Sequence, residues 1–347
     1  MSKSRLVASA ALPFALVFLT ACGSPAETPK PEQPSAASPA PALTREAIEA
    51  AVFEAAPSAN GQTAPVAPDP AIARAQILLD RANFSPGVID GLGGDNTRQA
   101  IAAFEKAAGL PEDGVLDAEV FGRLTAGDAG KVLADYTITA ADLAGPFIGQ
   151  VPSDLQAMSK LPTVGYATPL EAFAEKFHMT EGLLRALNPG VDFGKAGQSI
   201  IVAAVAQTEL AGDVARIVVD KTERSVRAYD ANDRLLAFYP ATIGSSARPA
   251  PSGDLSVVGV APEPNYTYDP DRVSYDRGDR KVIVPAGPNN PVGSVWIDLS
   301  RDTYGIHGTP DPSKVGKTFS SGCVRLTNWD AEQLASKVKP GVRVVFR

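Results

Sequence analysis

The chain of 347 residues holds two histidines and two cysteines, and one of each falls within the stretch 307–325. A thiol is a poor nucleophile until it loses its proton, and a free cysteine does so only near pH ~8.5. An imidazole close by relieves that by taking the proton as the sulfur attacks. His307 and Cys323 lie 16 positions apart, room for a strand, a loop and a second strand to bring them face to face. Gly322, just before the cysteine, lets the backbone approach a substrate carbonyl closely. Amides over 321–323 are then placed to donate to the oxyanion of an acyl-transfer intermediate. No acidic residue flanks His307, so a backbone carbonyl, for example that of Gly308, is a candidate to fix its tautomer. Arg325 alternates with Cys323 and shares its face on a strand. A guanidinium there suits a substrate carboxylate. On the pair alone, a buried free cysteine and a core histidine that are neighbours only in sequence remain the alternative.

The elements that must position these residues are short strands with Gly and Pro punctuation. Residues 216–220, 225–229, 235–241, 255–260, 281–284, 295–298 and 304–307 read as strands. Asn328 caps a helix that uses Ala331, Leu334, Ala335 and Val338, and 342–346 closes the chain as a strand. The pattern predicts a β-rich sandwich or barrel-like domain over 213–347. The polar, Tyr-rich segment 263–280 reads equally as a lid or substrate loop and as an insertion.

The string Tyr304-Gly305-Ile306-His307-Gly308-Thr309, followed by Ser320-Ser321-Gly322-Cys323-Val324-Arg325-Leu326, resembles the L,D-transpeptidase family (YkuD-type catalytic domain). Echoes at Ile217-Val218-Val219-Asp220-Lys221, Pro251-Ser252-Gly253 and Gly287-Pro288-Asn289-Asn290-Pro291 extend the likeness. Ser321 departs from the family, where many members carry a second histidine. The resemblance implies Cys323 as nucleophile and His307 as general acid and base, with the Gly308 carbonyl orienting the ring. It places Ser321, Gly322, Arg325 and Tyr304 on substrate or the oxyanion. The implied reaction is attack on a peptidoglycan tetrapeptide stem, departure of D-alanine, and transfer of the thioester to an amine, with no cofactor.

Ahead of this domain the chain reads as modules. Residues 1–21 resemble a secretory signal, with Lys3 and Arg5 before an apolar run too short and Pro-interrupted for a comfortable span. The run ends in Leu19-Thr20-Ala21-Cys22, which resembles the lipobox of bacterial lipoproteins and implies acylation at Cys22. The resulting expectation is a lipid-anchored envelope protein facing the periplasm, with Ser24 after Gly23 favouring the outer membrane. Residues 22–68 read as a Pro/Ala-rich tether. Within it Thr44 caps a short helix with Ile48, Ala51, Val52 and Ala55 on one face. Residues 69–127 carry helices opened by Asp69-Pro70, Asp95 and Asp117, with two similar turns at 87–91 and 113–117. The unit resembles a three-helix peptidoglycan-binding domain, through Ile89, Asp90, Gly91, Thr97, Ala100, Ile101, Phe104, Gly109, Leu110, Asp113 and Gly114. Most of these are fold positions. Residues 128–160 give no assignment. Residues 162–204 resemble a degenerate LysM module, a β-α-α-β glycan binder whose opening is altered to Tyr166-Ala167-Thr168-Pro169-Leu170. His178 reads as a helix-end histidine without a catalytic part.

The expected architecture is therefore multidomain: an all-α three-helix peptidoglycan-binding domain, a small α+β LysM-like module and a β-rich L,D-transpeptidase domain. A net charge of −7 argues against nucleic acid. Two histidines and two cysteines with separate tasks leave no disulfide and no plausible metal cluster. The expected partners are peptidoglycan stems and glycan strands, and the membrane through Cys22. Three other readings compete with crosslinking: an L,D-endopeptidase or carboxypeptidase, a protein-to-peptidoglycan ligase of the same fold, and a non-enzymatic tether between wall and membrane.

Overall fold

The computed structural model describes residues 43–53, 67–205, 209–273 and 275–347. Cys22, the signal-like segment and most of the tether lie outside them. Thr44 caps α1 (Arg45–Glu49), its hydroxyl accepting the Ala47 amide. The helix stops at Glu49, so the apolar face expected through Ala51 and Val52 is not continued, and Val52 is exposed.

The helical unit forms from the caps its sequence supplies. Asp69 accepts the amides of Ala71 and Ile72 at the start of α2 (Pro70–Arg81), with Pro70 in the first turn. Helix α3 (Asp95–Ala108) ends at Gly109, whose φ of +71° closes the helix in the left-handed conformation. Asp117 caps α4 (Ala118–Gly127) by accepting the Val120 amide. The two similar turns are held alike. Gln76 Oε1 accepts the amides of Asp90 and Gly91 at 3.0 and 2.8 Å. Glu105 Oε2 accepts those of Asp113 and Gly114, also at 3.0 and 2.8 Å. The Asp-Gly signals of the sequence are thus fold signals, each satisfied by one buried polar side chain.

The next module differs from its expected bounds. Its first strand, β1 (Leu133–Thr137), lies in the stretch the sequence leaves unassigned, well before 162. A long excursion carrying α5 (Leu155–Met158) intervenes before α6 (Pro169–Lys176) and α7 (Glu181–Leu187). The strand β2 (Ser199–Ala203) then pairs antiparallel with β1, Leu133 opposite Ala203 and Thr137 opposite Ser199. The result is a β-α-α-β unit with an insertion after its first strand. The altered opening at 166–170 leads out of that insertion into α6, with Thr168 as its cap.

The C-terminal part supplies β3 (Arg216–Asp220), β4 (Ser225–Tyr229), β5 (Leu235–Pro240), β6 (Ile243–Gly244), β7 (Gly253–Pro262), β8 (Tyr266–Tyr268), β9 (Val282–Val284), β10 (Val295–Leu299), β11 (Gly305–His307), β12 (Phe319–Ser320), β13 (Val324–Arg325), α8 (Asn328–Ala335) and β14 (Arg343–Phe346). Of the two expected forms, sandwich or barrel-like, the domain is not a sandwich: it is built on one mixed sheet of eight strands, in the order β13-β11-β10-β7-β14-β3-β4-β5. The ten-residue β7 joins its halves, pairing with β14 over 253–256 and with β10 over 257–262. One core cluster spans both halves and the buried face of α8, including Ile217, Val226, Ile297, Ile306, Val324 and Leu334. Thr327, not Asn328, caps α8, accepting the Asp330 amide.

The modules pack on one another. Phe238 of β5, fully buried, belongs to the core of the helical unit. The segment 83–85 runs beside β5, with Ser85 N donating to Phe238 O and Phe238 N to Asn83 O. That covers the free edge of the sheet, which would otherwise invite pairing with another chain. Leu155 and Met158 of α5 pack with Tyr268, Val282 and Val284.

Glu175 of α6 is buried against Asn328 of α8, whose amide donates to it. Burial pushes its carboxyl up to about 8, against the pull of that hydrogen bond. The folded state therefore holds this proton more tightly than the unfolded chain. Its contribution is complete below the ordinary carboxyl range and is lost as pH rises through 8. Glu175→Gln is expected to raise Tm at pH 8.5 and leave it nearly unchanged at pH 4.5, as thermal melts at the two pH values will show.

Candidate active site

Strand β11 carries His307 and β13 carries Arg325, and the two strands pair in parallel with Ile306 opposite Val324 and His307 opposite Arg325. Cys323 is the residue just before β13. The 16-residue separation therefore does what the spacing predicts, returning the chain beside the histidine strand. Cys323, His307, Arg325, Ser321 and Tyr304 all line one open cavity of about 730 Å³.

His307 is 3 % exposed. Its Nδ1 donates to the Gly308 carbonyl at 2.7 Å, the contact expected to fix the tautomer. Trp296, opposite it on β10, stacks on the ring with centroids 5.4 Å apart. Burial, and then the positive Arg325, push the imidazole down to about 3, while the Gly308 and Val292 backbones pull the other way. The ring is thus neutral through the physiological range. The Cys323 thiol is pushed up by burial, partly offset by a hydrogen bond from the Gly305 backbone and by Arg325. The resting pair is a neutral thiol and a neutral imidazole, not a preformed ion pair.

Two details correct the sequence reading. Among the described residues no hydrogen bond joins Cys323 to His307; Sγ donates weakly to the Thr303 carbonyl, at 3.6 Å. The Gly322 amide, expected to face an oxyanion, donates to Ser320 Oγ at 3.1 Å, and that hydroxyl in turn donates to the Cys323 carbonyl at 2.5 Å. Ser320 holds the nucleophile loop closed, a task no local sequence signal marks. Gly322 is required for another reason: at φ +119° any Cβ would sit 2.9 Å from the Tyr304 ring. Tyr304 therefore packs under the loop as well as lining the cavity, and Ser321 Oγ accepts from Arg248 at 3.3 Å. Gly308 is hemmed in too, since a Cβ there would lie 2.1 Å from Asn328 Oδ1.

A family profile for the L,D-transpeptidase catalytic domain (YkuD) matches residues 214–346, and one for a peptidoglycan binding domain matches 68–124. An L,D-transpeptidase of Bacillus licheniformis designated YkuD is 34% identical over 177 residues, covering 50% of this chain and 91% of that protein. The chain belongs to the L,D-transpeptidase family. It is an L,D-transpeptidase acting on peptidoglycan, with a peptidoglycan-binding domain ahead of its catalytic domain. The ErfK/SrfK L,D-transpeptidase of Escherichia coli is similar at 33% identity over 51% of this chain and 58% of its own length. A solved L,D-transpeptidase from Stackebrandtia nassauensis aligns over 82% of this chain and 94% of its own, at 14% identity and a TM-score of 0.31.

The transpeptidase cavity has a wall that the sequence left undecided. Segment 263–280 lines it through Tyr266, Asp269, Arg272, Tyr275 and Arg277. Tyr268 anchors the segment from within, its hydroxyl donating to the Gly278 carbonyl at 2.9 Å and accepting the Arg277 amide. The segment is thus part of the site. Arg277 and Arg325 act on each other electrostatically, and the Arg325 Nε is buried without a partner among the described residues. The wall therefore carries two guanidinium cations, one of them with a buried donor left without a partner. His178 stands elsewhere, its Nδ1 2.9 Å from Asp80 and its ring stacked on Trp329.

Proposed function

We propose that the enzyme acylates Cys323 with a tetrapeptide stem and transfers the acyl group to an amine on a neighbouring stem. The observation that carries this reading is that the thiol, the neutral imidazole and the Arg325 side chain line one open cavity. A turn about the Cys323 Cα–Cβ bond takes the thiol proton from the Thr303 carbonyl toward the ring nitrogen of His307 not held by Gly308. The sulfur attacks the stem carbonyl as His307 takes the proton, and the imidazolium then protonates the departing D-alanine amine. The acceptor amine repeats the path in reverse. With the Gly322 amide committed to Ser320, the amides of Ser321 and Cys323 carry the oxyanion. Arg325 and Arg277 take a substrate carboxylate, the planar fork matching its two oxygens. Disaccharide tetrapeptides incubated with the enzyme and read by mass spectrometry test the acceptor. Crosslinks between third residues support an amine; released tripeptides mean water, and freed wall-bound protein means a ligase run backwards.

The β-α-α-β unit is read as a LysM-like glycan binder, on its order of strands and helices and with its first strand at 133–137. Cys22 is read as the lipidated anchor in the envelope. Globomycin, which blocks lipoprotein signal cleavage, is expected to leave the precursor unprocessed; a mature N-terminus other than Cys22 contradicts the anchor.

A further inference from the structure

The peptidoglycan-binding domain touches the catalytic loop directly, through the first turn of α3. Asn96 Nδ2 donates to the Val315 carbonyl at 2.9 Å. The fit is close: a Cβ on Gly316, at φ +73°, would lie 2.1 Å from Asn96 Oδ1. Val315 is buried, 1 % exposed. From there the contacts run to the nucleophile in three steps. The Gly316 amide donates to Thr242 Oγ1 at 3.1 Å, and that hydroxyl donates to the Lys314 carbonyl at 3.2 Å. Thr242 and Arg325 exchange both backbone hydrogen bonds, at 2.9 and 2.8 Å. Arg325 follows Cys323 by two residues. Between the two ends of this chain of contacts, Phe319 and Ser320 of β12 pair with Ile243 and Gly244 of β6, and Ser320 is the residue that closes the nucleophile loop.

We infer that Asn96 is a positioning residue for the transpeptidase reaction: the peptidoglycan-binding domain braces the loop 312–320 and so sets where the Cys323 backbone sits. The domain is then part of the catalytic apparatus and not only a means of staying near the wall. A loop held from outside at one carbonyl keeps the sulfur and the oxyanion amides in register. Displacements of about an ångström at such a point cost up to about 10²-fold in rate. The inference rests on Cys323 being the nucleophile, which its own alanine variant tests separately.

The experiment uses the full chain and a soluble disaccharide tetrapeptide, a substrate with no polymeric strand for the binding domain to hold. Asn96→Ala is expected to lower kcat about tenfold with KM and Tm little changed. Gln99→Ala is the control. Gln99 crosses the same interface to the Glu223 carbonyl at 2.7 Å, away from the loop, and its loss is expected to leave kcat unchanged. Gly316→Ala, which crowds the same contact from the loop side, is expected to lower kcat and to be non-additive with Asn96→Ala. A normal kcat in Asn96→Ala overturns the inference. So does an equal fall in kcat for Asn96→Ala and Gln99→Ala accompanied by a matching fall in Tm, which would mark general loosening of the interface. Should Asn96→Ala fail to fold, Gly316→Ala against Gln99→Ala decides the question alone.

Discussion

Cys323→Ala is expected to remove transpeptidation, by at least about 10³-fold, because the account gives the sulfur the only covalent step. The fold should survive the change. The sulfur's polar contacts are backbone ones, a weak hydrogen bond to the Thr303 carbonyl at 3.6 Å and one from the Gly305 backbone, and the loop around it is held by Ser320, not by the sulfur. A Tm within a few degrees of the parent, with no crosslinked product from tetrapeptide, is the predicted pairing. Full activity in this variant would refute the mechanism. The non-enzymatic tether reading predicts that the same variant supports growth as well as the parent.

His307→Ala is expected to cost about 10²- to 10⁴-fold, the range for losing a positioned general base. The wild-type pH profile is the more discriminating result. Burial and Arg325 push His307 down to about 3, so the base remains neutral in mild acid. The acylation rate should therefore fall only near pH 3, with no inflection near 6.5, where an ordinary histidine titrates. Arg325→Gln removes the second of the two causes and leaves the first. The acid limb should then move up in pH, part of the way to the ordinary value. The rate of acylation by a carbapenem, followed from pH 3 to 8, checks both. An inflection between 6 and 7 in the parent would mean that the ring is charged more readily than its surroundings allow.

Much of the site was legible because its signals are local. The His-Gly and Gly-Cys-Val-Arg strings fix neighbours on adjacent strands, and alternation puts Cys323 and Arg325 on one face. The lack of any acid beside His307 points to a backbone carbonyl as its partner, and the structure supplies that of Gly308. The helical unit was legible for a similar reason: Asp caps and Asp-Gly turns are decided within a few residues. Signals between distant parts of the chain were not. The strand β1 sits more than thirty residues before its first helix, so no periodicity joined them. The commitment of the Gly322 amide depends on where the Ser320 hydroxyl turns, and the resting direction of the thiol depends on the Thr303 carbonyl. Docking of α3 on the loop 312–320 rests on shape, with Gly316 leaving room for Asn96. Nothing in a single sequence marks two surfaces as complementary. The role of 263–280 is illegible for the same reason: it depends on Tyr268 pinning the segment beside the cavity.

The most direct measurement is the intact mass of the enzyme mixed with a disaccharide tetrapeptide, followed by peptide mapping. The account predicts an adduct equal to the donor less D-alanine, located on Cys323, which disappears into crosslinked product when acceptor is added. An adduct on another residue, or the same adduct in Cys323→Ala, would contradict it.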